Sequence, residues 1–188
     1  MTGSKITLQD TASAVIGRLV AAARHPGELM ATFAALMLSS TQRRFQRQQD
    51  PEGIAWKPLS PRTAKRRIGR RVRGTANILR VSTRLYQSLT TNSDDTSAEV
   101  GTNLVYAGPH QFGGEIQHWA RSQRLSLKRI RGRYRFTRHG TKGAEERKVT
   151  IGEHVVAIPA RPYLGFSDQD ERAMIKAGQD WLASEAAQ

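Results

Sequence analysis

Cysteine is absent from this chain, which excludes disulfides and thiolate metal sites outright. No stretch approaches the roughly 18 consecutive apolar residues of a membrane span, so no membrane partner is expected. The start, Met1 to Ile6, lacks the basic region and long apolar run of a secretion signal. The expectation is a protein made and used in a cytoplasm. Leu, Ile, Val and Phe together supply roughly one residue in five, near the level where high net charge favours disorder. So thin a core points to an obligate oligomer, with part of the chain held by its neighbours.

Catalytic signatures are missing as well. His25, His110, His118, His139 and His154 stand apart from one another and from any carboxylate pair at ligand spacing. There is no nucleophile elbow, P-loop or dinucleotide fingerprint. The residues point to no catalysis, no metal and no cofactor.

What the chain does have is positive charge. Its 30 Lys and Arg against 16 Asp and Glu give a net charge of +14 over 188 residues. That balance attracts polyanions or acidic protein surfaces and says nothing of fold. The charge is clustered. Arg62 to Arg73 holds Arg62, Lys65, Arg66, Arg67, Arg70, Arg71 and Arg73 and no acid, while Arg121 to Lys148 holds eleven Lys or Arg against two Glu. Within the second cluster Arg129, Arg131, Arg133 and Arg135 interleave with Tyr134 and Phe136, as on a base-stacking surface. Alternation in a two-stranded ribbon would put Arg133 and Arg135 on one face and the aromatics on the other, packed side. The cations then read either as a phosphate grip or as an inter-subunit arm facing acidic neighbours.

Periodicity gives the framework. A helix is expected over Leu8 to His25, with Thr7 or Asp10 as cap and Val15, Ile16, Leu19 and Val20 as its stripe. Pro26-Gly27 breaks it. A second helix, about Glu28 to Gln48, repeats Leu29, Phe33, Met37, Thr41 and Phe45 every four residues, with Arg43, Arg44 and Arg47 on the opposite face. Ser60 reads as an N-cap with Pro61 at the first helical position, and Ser82 to Leu89 as a short helical turn presenting Leu85 and Leu89. A polar turn over Asn92 to Asp95 precedes a strand at Ala98 to Thr102. Val105 to Gly114 reads as a turn-rich segment. A β-hairpin follows, Arg124 to Ile130 and Tyr134 to Thr137, then one strand from Val149 to Ile158. Ser167 to Asp170 caps a last amphipathic helix with Met174, Trp181 and Leu182 as its stripe. The expected architecture is α+β in a single domain spanning 1–188: N-terminal helices to residue 50, a small antiparallel sheet with a long basic hairpin over 51–166, and a C-terminal helix over 167–188.

Several motifs, harmless singly, gain meaning from their order. They are Trp56-Lys57-Pro58-Leu59-Ser60, then Ile78-Leu79-Arg80-Val81-Ser82-Thr83-Arg84-Leu85, then Val100-Gly101-Thr102. Tyr106-Ala107-Gly108-Pro109-His110-Gln111-Phe112-Gly113-Gly114 comes next, and Ile158-Pro159-Ala160-Arg161-Pro162-Tyr163-Leu164-Gly165 closes the set. From about Glu28 onward this ordered set resembles the phage virion-morphogenesis or tail-completion proteins, of the tail-completion S type and found also in Mu-like phages. Thr83-Arg84 departs from the Thr-Gly common at that point in the family. The resemblance implies a non-enzymatic virion protein that completes the tail or neck and mediates head–tail joining. It implies a homo-oligomeric ring, often hexameric in that zone, built from heterologous contacts. Its partners would be other neck and tail proteins, with DNA near by in the channel and the host cytoplasm as the place of assembly. Trp56, Leu59, Tyr106, His110, Gln111, Phe112, Gly113, Gly114, Arg161, Pro162 and Tyr163 become scaffold or interface candidates, with Arg161 a fixed charge-assisted contact. Arg66, Arg67, Arg70, Arg71, Arg129, Arg131, Arg133 and Arg135 are the candidates for touching a polyanion or a partner. The alternative is a basic nucleic-acid-binding protein.

Overall fold

The structure, a computed structural model, describes residues 12–69 and 77–187, with 66–69 as backbone only. Helices and antiparallel strands in small sheets make it α+β, with the N-terminal helices and the C-terminal helix in their expected places. Thr7, Asp10, Arg70 and Arg71, and the side chains of Arg66 and Arg67, lie outside the described residues.

The chain groups into two compact units. One comprises the residues up to Phe112 together with those from Ala160 onward; the other is Gly113–Pro159. The first holds helices α1 (Ala12–Arg24), α2 (Gly27–Arg47), α3 (Pro61–Gly69) and α4 (Arg84–Gln87), and the strand pair β1 (Thr90–Ser93) and β2 (Ala98–Gly101). It also holds α5 (Ala107–Phe112) and α6 (Asp168–Ala187). Its core is Phe45, Trp56, Ile78, Leu85, Leu89, Ala107 and Tyr163, with Leu38, Leu59 and Tyr86 packed against them. Phe45 is the hub: the rings of Trp56, Tyr86 and Tyr163 lie 5.6, 5.9 and 4.9 Å away, the first two edge-on, a favourable aromatic arrangement.

Local chemistry explains the element ends. Ser60 Oγ accepts from the Thr63 N–H at 3.3 Å and so caps α3. Gln48 ends α2 in the left-handed region at φ 56°, an uncommon conformation for a residue with a side chain. Its side chain is engaged there, because Gln48 Oε1 accepts from the Ile78 N–H at 2.8 Å.

Four segments differ from the sequence reading. Asn92 to Asp95 is only half a turn: Thr90–Ser93 pairs with Ala98–Gly101 from Thr90↔Gly101 to Ser93↔Ala98. Asp94 gathers the backbone N–H groups of Thr96 and Ser97 at 2.6 and 2.7 Å, so the polar residues that look like loop close a hairpin. The stretch from Val105 carries a helical turn, α5, over Ala107–Phe112. Val149 to Ile158 is two strands rather than one, separated at Gly152-Glu153. Leu182 faces solvent, while Trp181 is half-buried; α6 packs on α2 and α1 through the neighbouring face.

The regular elements of the second unit are all strands. β3 (Gly114–His118) pairs with β7 (His154–Ile158). β4 (Arg121–Ile130) lies between β5 (Arg133–Phe136) and β6 (Glu145–Ile151). The β4–β5 turn is Arg131-Gly132 with φ of 50° and 77°, the double positive-φ geometry that matches ribbon twist. Ser126 is the single buried residue of this unit.

Candidate functional site: a polar clasp and a cationic ribbon

The return of the chain from residue 159 to the start of α6 is held by side chains that are distant in sequence. Trp56 Nε1 donates to the Pro162 carbonyl at 2.8 Å. Gln111, placed by α5, accepts from the Tyr163 and Leu164 N–H groups through Oε1 at 2.9 and 3.0 Å. Its Nε2 donates back to the Leu164 carbonyl at 2.9 Å. One amide thus satisfies three backbone groups of a segment that no strand partners. Arg161 is buried, with Nε donating to the Lys57 carbonyl at 3.1 Å and its own N–H to the His110 carbonyl at 2.8 Å. Tyr163 is 1% exposed, and burial raises its pKa.

Below this loop sits an ion pair the sequence reading did not find. Arg44 is buried, not on the solvent face of α2. Its Nη1 donates to the carbonyls of Tyr163 and Gly165 at 3.1 and 2.7 Å, and its Nη2 bonds Asp170. Asp170 also accepts from the Ser167 N–H and hydroxyl at 2.9 and 2.7 Å, while Ser167 Oγ accepts from the Asp170 N–H at 3.2 Å. This is a capping box whose carboxylate doubles as an ion-pair partner. Burial works to raise the Asp170 pKa, but hydrogen bonds from Ser40 and Ser167 and the charge of Arg44 outweigh it and hold it low. A hint existed in the sequence. Positions 40 and 44 border the apolar stripe at 41 and 45, so Arg44 lies on its edge.

The remaining scaffold candidates divide. Leu59 is half-buried against the core. Tyr106 is 40% exposed, edge-on to His110 at 6.0 Å. Both line a cleft of about 280 Å³ with Ile78, Leu85 and Arg161. Burial and the nearby Arg161 charge lower the His110 pKa, and its Nδ1 is buried without a hydrogen-bond partner among the described residues. Phe112 is 81% exposed. Gly113 follows at φ 77°, a conformation that favours glycine.

On the ribbon, register separates cations that looked like one set. Arg129 is directly opposite Tyr134, and Leu127 opposite Phe136, so these four share a face. Arg133 and Arg135 lie on the other face with Lys128 and Ile130, and Arg131 is in the turn. The aromatics are not a packed side: Tyr134 is 46% and Phe136 76% exposed. Tyr134 stacks instead under Arg147, whose guanidinium carbon is 4.6 Å from the ring centroid.

Among the described residues no group of three His, Asp or Glu converges as a metal site would require. No helix of theirs is long and apolar enough to cross a membrane. The first unit thus carries a clasped return loop, and the second an exposed ribbon.

This chain belongs to the phage virion morphogenesis family, whose model matches residues 9–183. It is 31% identical over 170 residues to the Mu-like prophage FluMu G protein 2 of Haemophilus influenzae, covering 90% of this chain and 88% of that protein. No solved structure matches it. Its role is in assembling a phage virion.

Proposed function

We propose that the protein is a non-catalytic structural subunit that completes the tail or neck and mediates head–tail joining as a ring of identical copies, a tail terminator or neck ring. The observation that carries this reading is the unit Gly113–Pro159, which buries Ser126 alone. It leaves Ile116, Trp119, Ile130, Tyr134, Phe136 and Val155 each at least 40% exposed. Exposed apolar surface on that scale marks a protein contact. A copy of the chain that meets its neighbour through different patches closes a ring when the rotation permits. Other neck and tail proteins would stack on that ring, with DNA passing through its channel. Particles made without the protein should accumulate as separate filled heads and tails in electron micrographs. A normal yield of joined, infectious particles would overturn the proposal.

One feature favours a second reading, nucleic-acid binding. Arg124, Lys128, Arg133, Arg135 and Lys148 share one face of the three-stranded sheet. If they grip phosphates, affinity for DNA falls steeply with salt, with a log–log slope near −0.9 per phosphate neutralised. A slope near zero would assign them to protein contacts. A lumen through which DNA slides should not grip it, which favours the protein reading.

A further inference from the structure

The exposed aromatic face of the ribbon has a complement on the first unit. Around the start of α6, Phe166, Met174 and Ile175 line an apolar groove of about 330 Å³, rimmed by Asp168 and Glu171. Phe166 is 65% and Ile175 54% exposed, and Leu182, 45% exposed, lies two helical turns beyond Ile175 on the same side. The ribbon face opposite in character carries Leu127, Phe136, Tyr134 and Arg129. The charges match as well as the apolar surfaces. Arg129, Asp168 and Glu171 have no ion-pair partner among the described residues. Arg172 is the one cation on the exposed side of this first helical turn and a half.

Resting on the ring reading above, we propose that the aromatic face of the β4–β5 ribbon of one copy docks in the Phe166–Ile175 groove of the next, Phe136 entering the groove and Arg129 meeting Asp168 and Glu171. A second copy is the occupant the charges favour: the chain's net charge is +14, yet this groove is rimmed by two acids, and Arg129, on the aromatic face beside the Arg147–Glu145 pair, is their electrostatic complement. The contact joins two different patches, so repetition around a rotation axis produces a ring.

The test follows self-association of the full chain by sedimentation velocity over a concentration series, in Arg129→Glu, in Glu171→Lys and in the chain carrying both. Each single reversal should raise the concentration needed for assembly by about ten-fold or more, because like charges then face each other. The double reversal should restore it. A second readout exploits the absence of cysteine: Phe136→Cys combined with Ile175→Cys should give, on oxidation, a ladder of covalent multimers on a non-reducing gel. Circular dichroism of each variant identifies misfolding, in which case the cross-link decides. Assembly unchanged in both single variants and no cross-link would overturn the docking, assign the groove to another partner, and leave the ring reading standing. A cross-linked monomer would overturn it too, since the ribbon would then close on its own chain. A wild-type chain that stays monomeric at every concentration and on tails would overturn the ring reading itself.

Discussion

Arg44 on α2 and Asp170 on α6 form the one ion pair among the described residues in which both side chains are buried, at 5% and 7% exposure. The four other pairs are exposed, each side chain at 47% or more, and contribute little. The buried pair also supplies donors to the Tyr163 and Gly165 carbonyls, so it fixes the return loop as well as the two helices. Arg44→Leu would leave a buried carboxylate and two carbonyls unmatched. The expected loss is about 3–5 kcal/mol, read as a lower urea midpoint, with the Arg44→Leu/Asp170→Leu double variant losing less than the sum of the two single changes.

The same pair sets an acid limit. The folded Asp170 pKa lies below its ordinary value, so its contribution is fully present above the unfolded pKa of about 3.9. It is lost as pH falls through the lower, folded pKa. Asp94, brought down to about 2 chiefly by the Thr96 N–H, behaves in the same sense. The thermal midpoint should therefore drop between about pH 4 and pH 2, and Asp170→Asn should flatten part of that dependence. A wild-type midpoint constant across this window would contradict the assignment.

Gln111 can be tested by what it cannot be replaced with. Gln111→Ala removes three hydrogen bonds to residues 163 and 164 and should cost about 1–3 kcal/mol. Gln111→Glu keeps an acceptor for the two N–H groups but turns a carboxylate oxygen toward the Leu164 carbonyl. It should recover only part of the loss at neutral pH, and more on acidification, as protonation restores a donor.

Gly165 adopts φ 144°, and a Cβ there would come within 2.7 Å of Pro51 Cγ. Gly165→Ala should destabilise the protein by about 1–3 kcal/mol, through backbone strain and through displacement of the carbonyl that Arg44 grips. Thermal unfolding measures it; an unchanged midpoint would mean the loop accommodates the methyl group.

The ribbon should be separable from the core. Every core residue lies outside Gly113–Pro159, and the ends of that unit are adjacent, since Gly114 pairs with Ile158. Replacing residues 115–157 with a short glycine-serine linker should leave a cooperative thermal transition within a few degrees of the wild-type midpoint. Assembly should be lost. A chain that fails to fold without the ribbon would show that its strands support the core.

Much of this was readable beforehand where physics is local. Pro26-Gly27 broke the first helical pattern, Ser60-Pro61 opened a helix, and Arg131-Gly132 turned a ribbon, because caps and turns depend on neighbours in sequence. Misreadings arose where a distant partner decided. Asn92 to Asp95 reads as a polar turn, yet Asn92 and Ser93 belong to a strand that pairs with Ala98–Gly101. Val149 to Ile158 reads as one strand until its halves find different partners, β4 and β3. The scaffold motifs were visible as an ordered set, but not the bonds that Trp56 and Gln111 make to residues 162–164.

By itself, then, the sequence determined the absence of thiol chemistry and of recognisable catalytic motifs, the cationic excess, the helical ends and the family likeness. All of these are set by composition or by short spacing. Only the tertiary structure decided that Arg44 is buried against Asp170 and that Arg129 stands with Tyr134 and Phe136 rather than with Arg133 and Arg135. A charge's worth depends on what surrounds it, and a strand's face on its register. Neither is a local property of the chain.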